Sequence, residues 1–207
     1  MEHGLNHPWR IEKSYFQQGV SLLCGVDEAG AGPLAGPVYA AAVILPPYCE
    51  IEGLNDSKKL TEKKRELLFD EIIGKATAYA VATASEAEID EINILNARML
   101  AMDRAIAALP LTPELALIDG NRSVGIHCPN VTVVGGDGKS ASIAAASILA
   151  KVSRDRYVTE VLDKEYPQYQ FARHKGYGTK LHYAMLDQFG LCPAHRKTFL
   201  KKWEAKR

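Results

Sequence analysis

The feature that most narrows the fold is a pair of short apolar runs, Leu22 to Asp27 and Val38 to Leu45, joined by a stretch containing Gly30, Gly32, Pro33, Gly36 and Pro37. Runs of this length, rich in Val, Ile and Leu and bounded by Gly and Pro, read as buried strands. The connection reads as a Gly/Pro turn and not as a crossover helix, so part of the sheet is expected to be antiparallel. Beyond it the pattern alternates. Thr61 to Ile73 has a helical period behind an N-cap threonine, Ala76 to Ala84 reads as a third strand, and Ser85-Glu86-Ala87-Glu88 opens a short helix with an acidic first turn.

Asn93 to Leu109 places Leu95, Met99, Met102 and Ile106 at three- and four-residue spacings, a stripe expected in the core, and Pro110 stops the helix. Leu115 to Asp119 and Val131 to Val134 give a fourth and fifth strand. Ser140 to Glu165 reads as a long helix with an alanine-rich first half, and Lys180 to Phe189 as a final helix between Thr179 and Gly190. The expected fold is α/β, a mixed central sheet flanked by helices with a C-terminal helical segment. A chain of 207 residues, 47% of them apolar, is expected to form one domain over residues 1–207.

Cys24, Cys49, Cys128 and Cys192 lie far apart without C-x-x-C or zinc-finger spacing, which suits reduced thiols. The first residues lack a basic flank followed by an apolar run, and no segment is apolar over a membrane-spanning length, so a cytoplasmic protein without membrane contact is expected. The net charge is zero but uneven: residues 151–207 hold 13 Lys/Arg against 6 Asp/Glu, a net +7, and the preceding residues carry the compensating −7. An acidic body that could hold cations is thus joined to a basic segment that could face phosphates, or be only a solvated face.

Three apolar strands deliver acids at or just beyond their ends: Asp27 and Glu28, then Asp119 before Gly120, then Asp137 in Gly135-Gly136-Asp137-Gly138. Strand ends are where open α/β sheets build their sites, so these four could share one pocket. A dinucleotide loop is disfavoured, because Pro33 and Pro37 do not suit the helix it must open and the glycine spacing is wrong. Four close carboxylates would repel unless cations neutralised them, and oxygen-only ligands suit Mg²⁺ or Mn²⁺ better than zinc. Neighbours on a strand point to opposite faces, so Asp27 and Glu28 can share a site only if the strand ends or bends at Glu28. Any one of these acids could also be an ordinary turn carboxylate. Composition and spacing alone reach a metal-binding α/β domain with phosphoryl-transfer chemistry, including a phosphatase or phosphotransferase acting on a small molecule.

The segments GVDEAGAGPLAGPV, LNDSKKL, LIDGN, GDGKSASIAAASILAKVSRDR, HKGYGT and HRKTF, in this order over residues 22–199, closely resemble bacterial ribonuclease HII. The resemblance implies a ribonuclease H-like fold. It also implies an endonuclease that cuts 5′ of ribonucleotides in RNA/DNA hybrids and of single ribonucleotides embedded in duplex DNA, by two-metal-ion catalysis, leaving 3′-hydroxyl and 5′-phosphate ends. It places metal-binding, catalytic roles on Asp27, Glu28, Asp119 and Asp137, and gives Tyr177 the ring that packs on the sugar beside the scissile bond. Gly30, Ala31 and Gly32 fall on the turn that approaches the ribose, where an arginine is expected in place of Ala31. Loss of that guanidinium opens a second reading, a catalytically weakened hybrid-binding protein. Asn55, Ser57, Lys58, Lys139, Ser140 and Lys175 are candidate phosphate contacts. Asp155 is read as structural, pairing with Arg154 or Arg156, and His174, His182 and His195 receive no catalytic role. A monomer is expected, and no sliding-clamp tail is evident before Arg207.

Overall fold

The structure is a computed structural model that describes residues 9–54 and 60–205. Five strands, β1 (Leu23–Ala29), β2 (Val38–Ile44), β3 (Ala78–Ala84), β4 (Leu115–Asp119) and β5 (Asn130–Val133), form one sheet in the order β3-β2-β1-β4-β5. The β1–β2 and β2–β3 pairs are antiparallel, as the turn between the first two runs requires, whereas β1–β4 and β4–β5 are parallel. The two kinds of pairing meet on β1. Its ladder with β4 ends at Val26 opposite Ile118, while its ladder with β2 runs on to Ala29 opposite Tyr39.

The helices are α1 (Arg10–Phe16), α2 (Glu62–Lys75), α3 (Glu86–Ala107), α4 (Ala141–Tyr157), α5 (Asp163–Glu165), α6 (Phe171–His174), α7 (Lys180–Phe189) and α8 (Lys197–Glu204). A π turn at Val158–Leu162 carries α4 into α5, so the long helix expected to Glu165 is continuous in direction but not in hydrogen-bond pattern. Thr61, Ser85, Ser140 and Thr179 each accept a backbone N–H at their helix N-termini, and Ser85 forms a full capping box with Glu88. α3 breaks at Asn93, with φ 66° and ψ 163°, a region close to glycine-only. The Asn93 side chain accepts from the N–H groups of Leu95 and Asn96 and so caps the second half. Met99, Met102 and Ile106 are buried as the stripe predicts, but Leu95, in the first turn after the break, is 45% exposed.

Alternation along the strands decides which helix each residue meets. Cys24, Val26, Ala40, Ala42, Ala116 and Ile118 face the core beneath α3. Ala41 and Val43 face the second core, against α4 and α2. α4 lies close to β1 because Gly25 has no side chain; a Cβ there would fall 2.1 Å from the Ser142 carbonyl carbon. Glu12 of α1 is buried at the start of α4, where its carboxylate accepts from Ser140 Oγ at 2.6 Å and Ser142 N at 3.0 Å, and burial raises its pKa. A third cluster, including Leu34, Ala35, Val158, Tyr169, Phe171 and Leu200, binds the turn after β1 to the C-terminal segment. All four cysteines are free thiols.

Candidate active site

Asp27 lies on the α4 side of β1, hydrogen-bonded to Ser147 of that helix and accepting from its neighbour's N–H, Glu28 N to Asp27 Oδ1, at 2.7 Å. Glu28 lies on the α3 side, in an ion pair with Arg98. The expected end or bend of the strand at Glu28 is corrected: β1 stays paired with β2 through Ala29 and the two acids keep the opposite faces that alternation dictates, but the β1–β4 ladder stops at Val26 opposite Ile118, and beyond that open edge both acids lie within reach of the Asp119 charge. Asp119 closes β4, and its Oδ1 accepts from Gly136 N at 2.6 Å. That bond ties β4 to the short helical turn Gly136–Gly138, on which Asp137 is buried.

Three of these acids, Asp27, Glu28 and Asp119, lie within reach of one another's charge. Burial drives the Asp27 carboxyl well above its ordinary range, and the charges of Glu28 and Asp119 push it further. Burial also raises Glu28; the Arg98 guanidinium opposes the rise and Asp119 adds to it. Each carboxylate nevertheless keeps its own protein partner, and among the described residues no three His, Cys, Asp or Glu side chains are gathered closely enough to hold an ion. The donor set still fits a hard divalent cation. It is all oxygen, Asp27, Glu28 and Asp119 repel one another, and Glu28 Oε2 is buried with no hydrogen-bond partner.

Beside Glu28 a groove of about 390 Å³ is lined by Gly30, Ala31, Gly32 and Tyr177. Tyr177 is 43% exposed, and its ring stands next to Gly32. Arg65 and Lys151 line the same groove and had no role in the sequence reading. Their one signal was a basic residue on a helix that the topology turns toward the strand ends.

Two buried arginines, also unforeseen, hold the turn. Arg196 donates to the carbonyls of Gly30 at 2.6 Å, Ala31 at 3.0 Å and Gly36 at 2.9 Å. Arg154 donates to Ala35 O at 3.2 Å and Lys175 O at 3.1 Å. Gly30, at φ +93°, is required here, since a Cβ would lie 2.1 Å from Arg154 Nε. Backbone bonds from Leu34 to Gly176, Gly36 to Ala194 and Arg196 to Leu34 complete the attachment. Burial, then the charge of Arg154, pulls Arg196 down to about 9.

Behind Tyr177 lie three buried histidines. His182 Nδ1 faces Tyr177 O at 3.0 Å, its Nε2 meets His195 Nε2 at 3.0 Å, and His195 Nδ1 accepts from Cys192 N at 2.9 Å. Such a chain needs neutral rings, and burial pulls both His182 and His195 down to about 4. They are structural supports of the tyrosine.

The phosphate candidates fare differently. Ser140 is a buried helix cap bonded to Glu12, which corrects its reading as a phosphate donor. Lys139 Nζ is folded onto Val134 O at 2.6 Å, and Lys175 Nζ onto Thr159 Oγ1 at 2.6 Å. Asn55, Ser57 and Lys58 lie outside the described residues. Asp155 pairs with Lys151 at 2.8 Å, not with Arg154 or with Arg156, which pairs with Glu66.

The family model described as Ribonuclease HII matches residues 24–205. Among curated proteins, Ribonuclease HII of Caldicellulosiruptor saccharolyticus is 52% identical over 193 residues, 93% of this chain and 94% of that protein. Ribonuclease HII 1 of Methylibium petroleiphilum is 59% identical over 180 residues, 87% and 90% of the two chains. Ribonuclease H2 from Pyrococcus horikoshii OT3 has the same fold at a TM-score of 0.70 and 28% identity, covering 86% of this chain and 93% of that one. An Archaeoglobus fulgidus ribonuclease HII solved in complex with PCNA also gives 0.70, at 26% identity, covering 85% and 94%.

Proposed function

This chain belongs to the ribonuclease HII family and is a nuclease of the ribonuclease H type, and from that premise we propose that it cuts the phosphodiester 5′ of ribonucleotides in RNA/DNA hybrids and in duplex DNA carrying a single ribonucleotide. One observation carries this reading: a single groove is lined both by Glu28 and by the Gly30-Ala31-Gly32 turn with Tyr177, so a reactive phosphodiester and the sugar beside it can be met together. Products with 3′-hydroxyl and 5′-phosphate ends follow from attack on the phosphate from the side opposite the 3′-oxygen.

Asp27, Glu28, Asp119 and Asp137 are the residues that would hold two Mg²⁺ or Mn²⁺ ions. When bound, such ions supply water activation and charge neutralisation for an in-line phosphoryl displacement. The protein's own work is positioning. Ser147 and the Glu28 N–H orient Asp27, Gly136 N orients Asp119, and Arg196 fixes the two carbonyls of the turn so that its outer edge meets the ribose in one conformation. Tyr177 offers a ring face to the sugar, and the 2′-hydroxyl is the atom that separates RNA from DNA. Arg65 and Lys151, the latter paired with Asp155, bring cationic side chains to the groove that Ala31 does not supply. Because Arg196 holds the turn through backbone carbonyls, Ala31 does not loosen it, which favours an active enzyme over a weakened binding protein. The same reading has the chain act as one catalytic unit, as a monomer, in the cytoplasm. No helix among the described residues is long and apolar enough to cross a membrane.

The test is incubation with an end-labelled duplex containing one ribonucleotide, in Mg²⁺, Mn²⁺ or chelator, with the cut mapped to the nucleotide. A single metal-dependent cut 5′ of the ribonucleotide is expected. Cleavage of an all-DNA duplex at a similar rate would refute the reading.

A further inference from the structure

We infer that Arg98 is a positioning residue that holds Glu28 through a one-point ion pair until a divalent cation claims the carboxylate, and that it thereby weakens cation binding. The inference rests on Glu28 being a metal ligand, as proposed above.

The pair is incompletely made. One guanidinium nitrogen of Arg98 meets Glu28 Oε1, yet Glu28 Oε2 and Arg98 Nε are both buried without hydrogen-bond partners. A bidentate pair would have satisfied both atoms with each other, and leaving them orphaned in a buried site is costly. The geometry therefore suits a carboxylate shared between two cations in turn. The two side chains also differ in freedom: Glu28 is 10% exposed and fixed on β1, whereas Arg98 is 27% exposed and reaches in from α3. When an ion binds, Arg98 can move toward water and Glu28 cannot. The helix carrying Arg98 is aimed by its own device, since the break and side-chain cap at Asn93 set where the second half of α3 begins. With Asp27 and Asp119 also near, the Arg98 charge relieves carboxylate repulsion in the metal-free protein and must be displaced on metal binding.

The experiment is calorimetric titration with Mn²⁺ alone, plus thermal melting in chelator and in saturating Mn²⁺, on the wild type and on Arg98→Met, Arg98→Gln, Arg98→Lys and Glu28→Gln. The two neutral variants guard against one failing to fold. Each should bind Mn²⁺ more tightly, on the order of tenfold, and melt lower in chelator, with much of the loss recovered in Mn²⁺. Arg98→Lys should stay near the wild type because it keeps the charge. Equal Mn²⁺ affinity in the wild type and both neutral variants, with the same melting loss in chelator and in Mn²⁺, would overturn the inference and leave an ordinary structural ion pair. Glu28→Gln separates the two levels of argument. If it weakens Mn²⁺ binding while the neutral Arg98 variants change nothing, only the role of Arg98 fails; if it leaves binding unchanged, the metal site itself is misassigned and both fail.

Discussion

Only Ala29 separates the Asp27-Glu28 pair from Gly30, yet the strand end and the turn differ in what completes them. Around the carboxylates the protein concentrates negative charge, orphans an oxygen of Glu28 and turns neighbouring acids to opposite faces of the sheet. Around the turn it does the reverse, supplying two buried arginines, three backbone bonds to the C-terminal segment and a chain of neutral histidines behind Tyr177. On the proposed function, the first region is finished by a ligand and the second by the fold. Chemistry that needs charge only when substrate is present can leave its site electrostatically open, whereas telling ribose from deoxyribose needs a surface that does not yield.

The largest effect expected from breaking this contrast lies at the acids. Asp27→Asn or Asp119→Asn should lower cleavage by on the order of 10³-fold or more, since lost metal charge stabilisation is worth several kcal/mol. Asp27→Asn should also melt higher than the wild type in chelator, because it removes a buried charge repelled by Glu28 and Asp119. A folded Asp27→Asn, Asp119→Asn double variant with near wild-type turnover would remove this site from the chemistry. Asp155→Asn, by contrast, should cost stability more than turnover, since it breaks only the Lys151 pair.

Next in size is Arg196→Met, which leaves the carbonyls of Gly30, Ala31 and Gly36 without their donor. A loss of about 3 kcal/mol or more in chemical unfolding is expected, since each buried carbonyl left without a donor costs about 1 to 3 kcal/mol. Mn²⁺ affinity of whatever fraction stays folded should be unchanged. A variant as stable as the wild type would show that the turn does not depend on this arginine.

The two regions should also carry opposite pH dependences of stability. His182 and His195 titrate near 4 in the fold against about 6.5 when unfolded, so their contribution is full above about pH 6.5 and is lost as pH falls through about 4. Asp27 has a raised folded value, so its contribution is present below the ordinary carboxylate range and is lost as pH rises through that value. In chelator, Asp27→Asn should flatten the second trend and leave the acid-side loss intact. Smallest is Tyr177→Ala, expected to reduce turnover on a single-ribonucleotide duplex by about tenfold, an effect of ~1.4 kcal/mol, with Mn²⁺ binding by calorimetry unaltered.

How much of this could be read from the chain follows the same division. The strands and most helices were legible because their apolar periods and caps are local: Thr61, Ser85, Ser140 and Thr179 all cap where their types suggest. Asn93 was legible as a helix start, though not its strained backbone. α1 and α8 escaped because neither has a side-chain cap; α1 shows mixed polarity and α8 reads as a basic run. The four acids stood out because each follows an apolar strand. The residues that hold them and the turn did not, because Arg98, Arg154 and Arg196 act on partners distant in sequence, and nothing local marks an arginine as buried. Ser140 was misread for a related reason: its partner Glu12 is 128 residues away.

The most direct test of the account is equilibrium binding in chelator, comparing a duplex with one ribonucleotide against the same duplex in all-DNA form. A turn completed by the fold should still prefer the ribonucleotide without any divalent ion, even though cutting is abolished and overall affinity falls, and Tyr177→Ala should shrink that preference. Equal affinity for the two duplexes in chelator, with preference restored only by Mn²⁺ or Mg²⁺, would contradict it and place ribose recognition in the metal site itself.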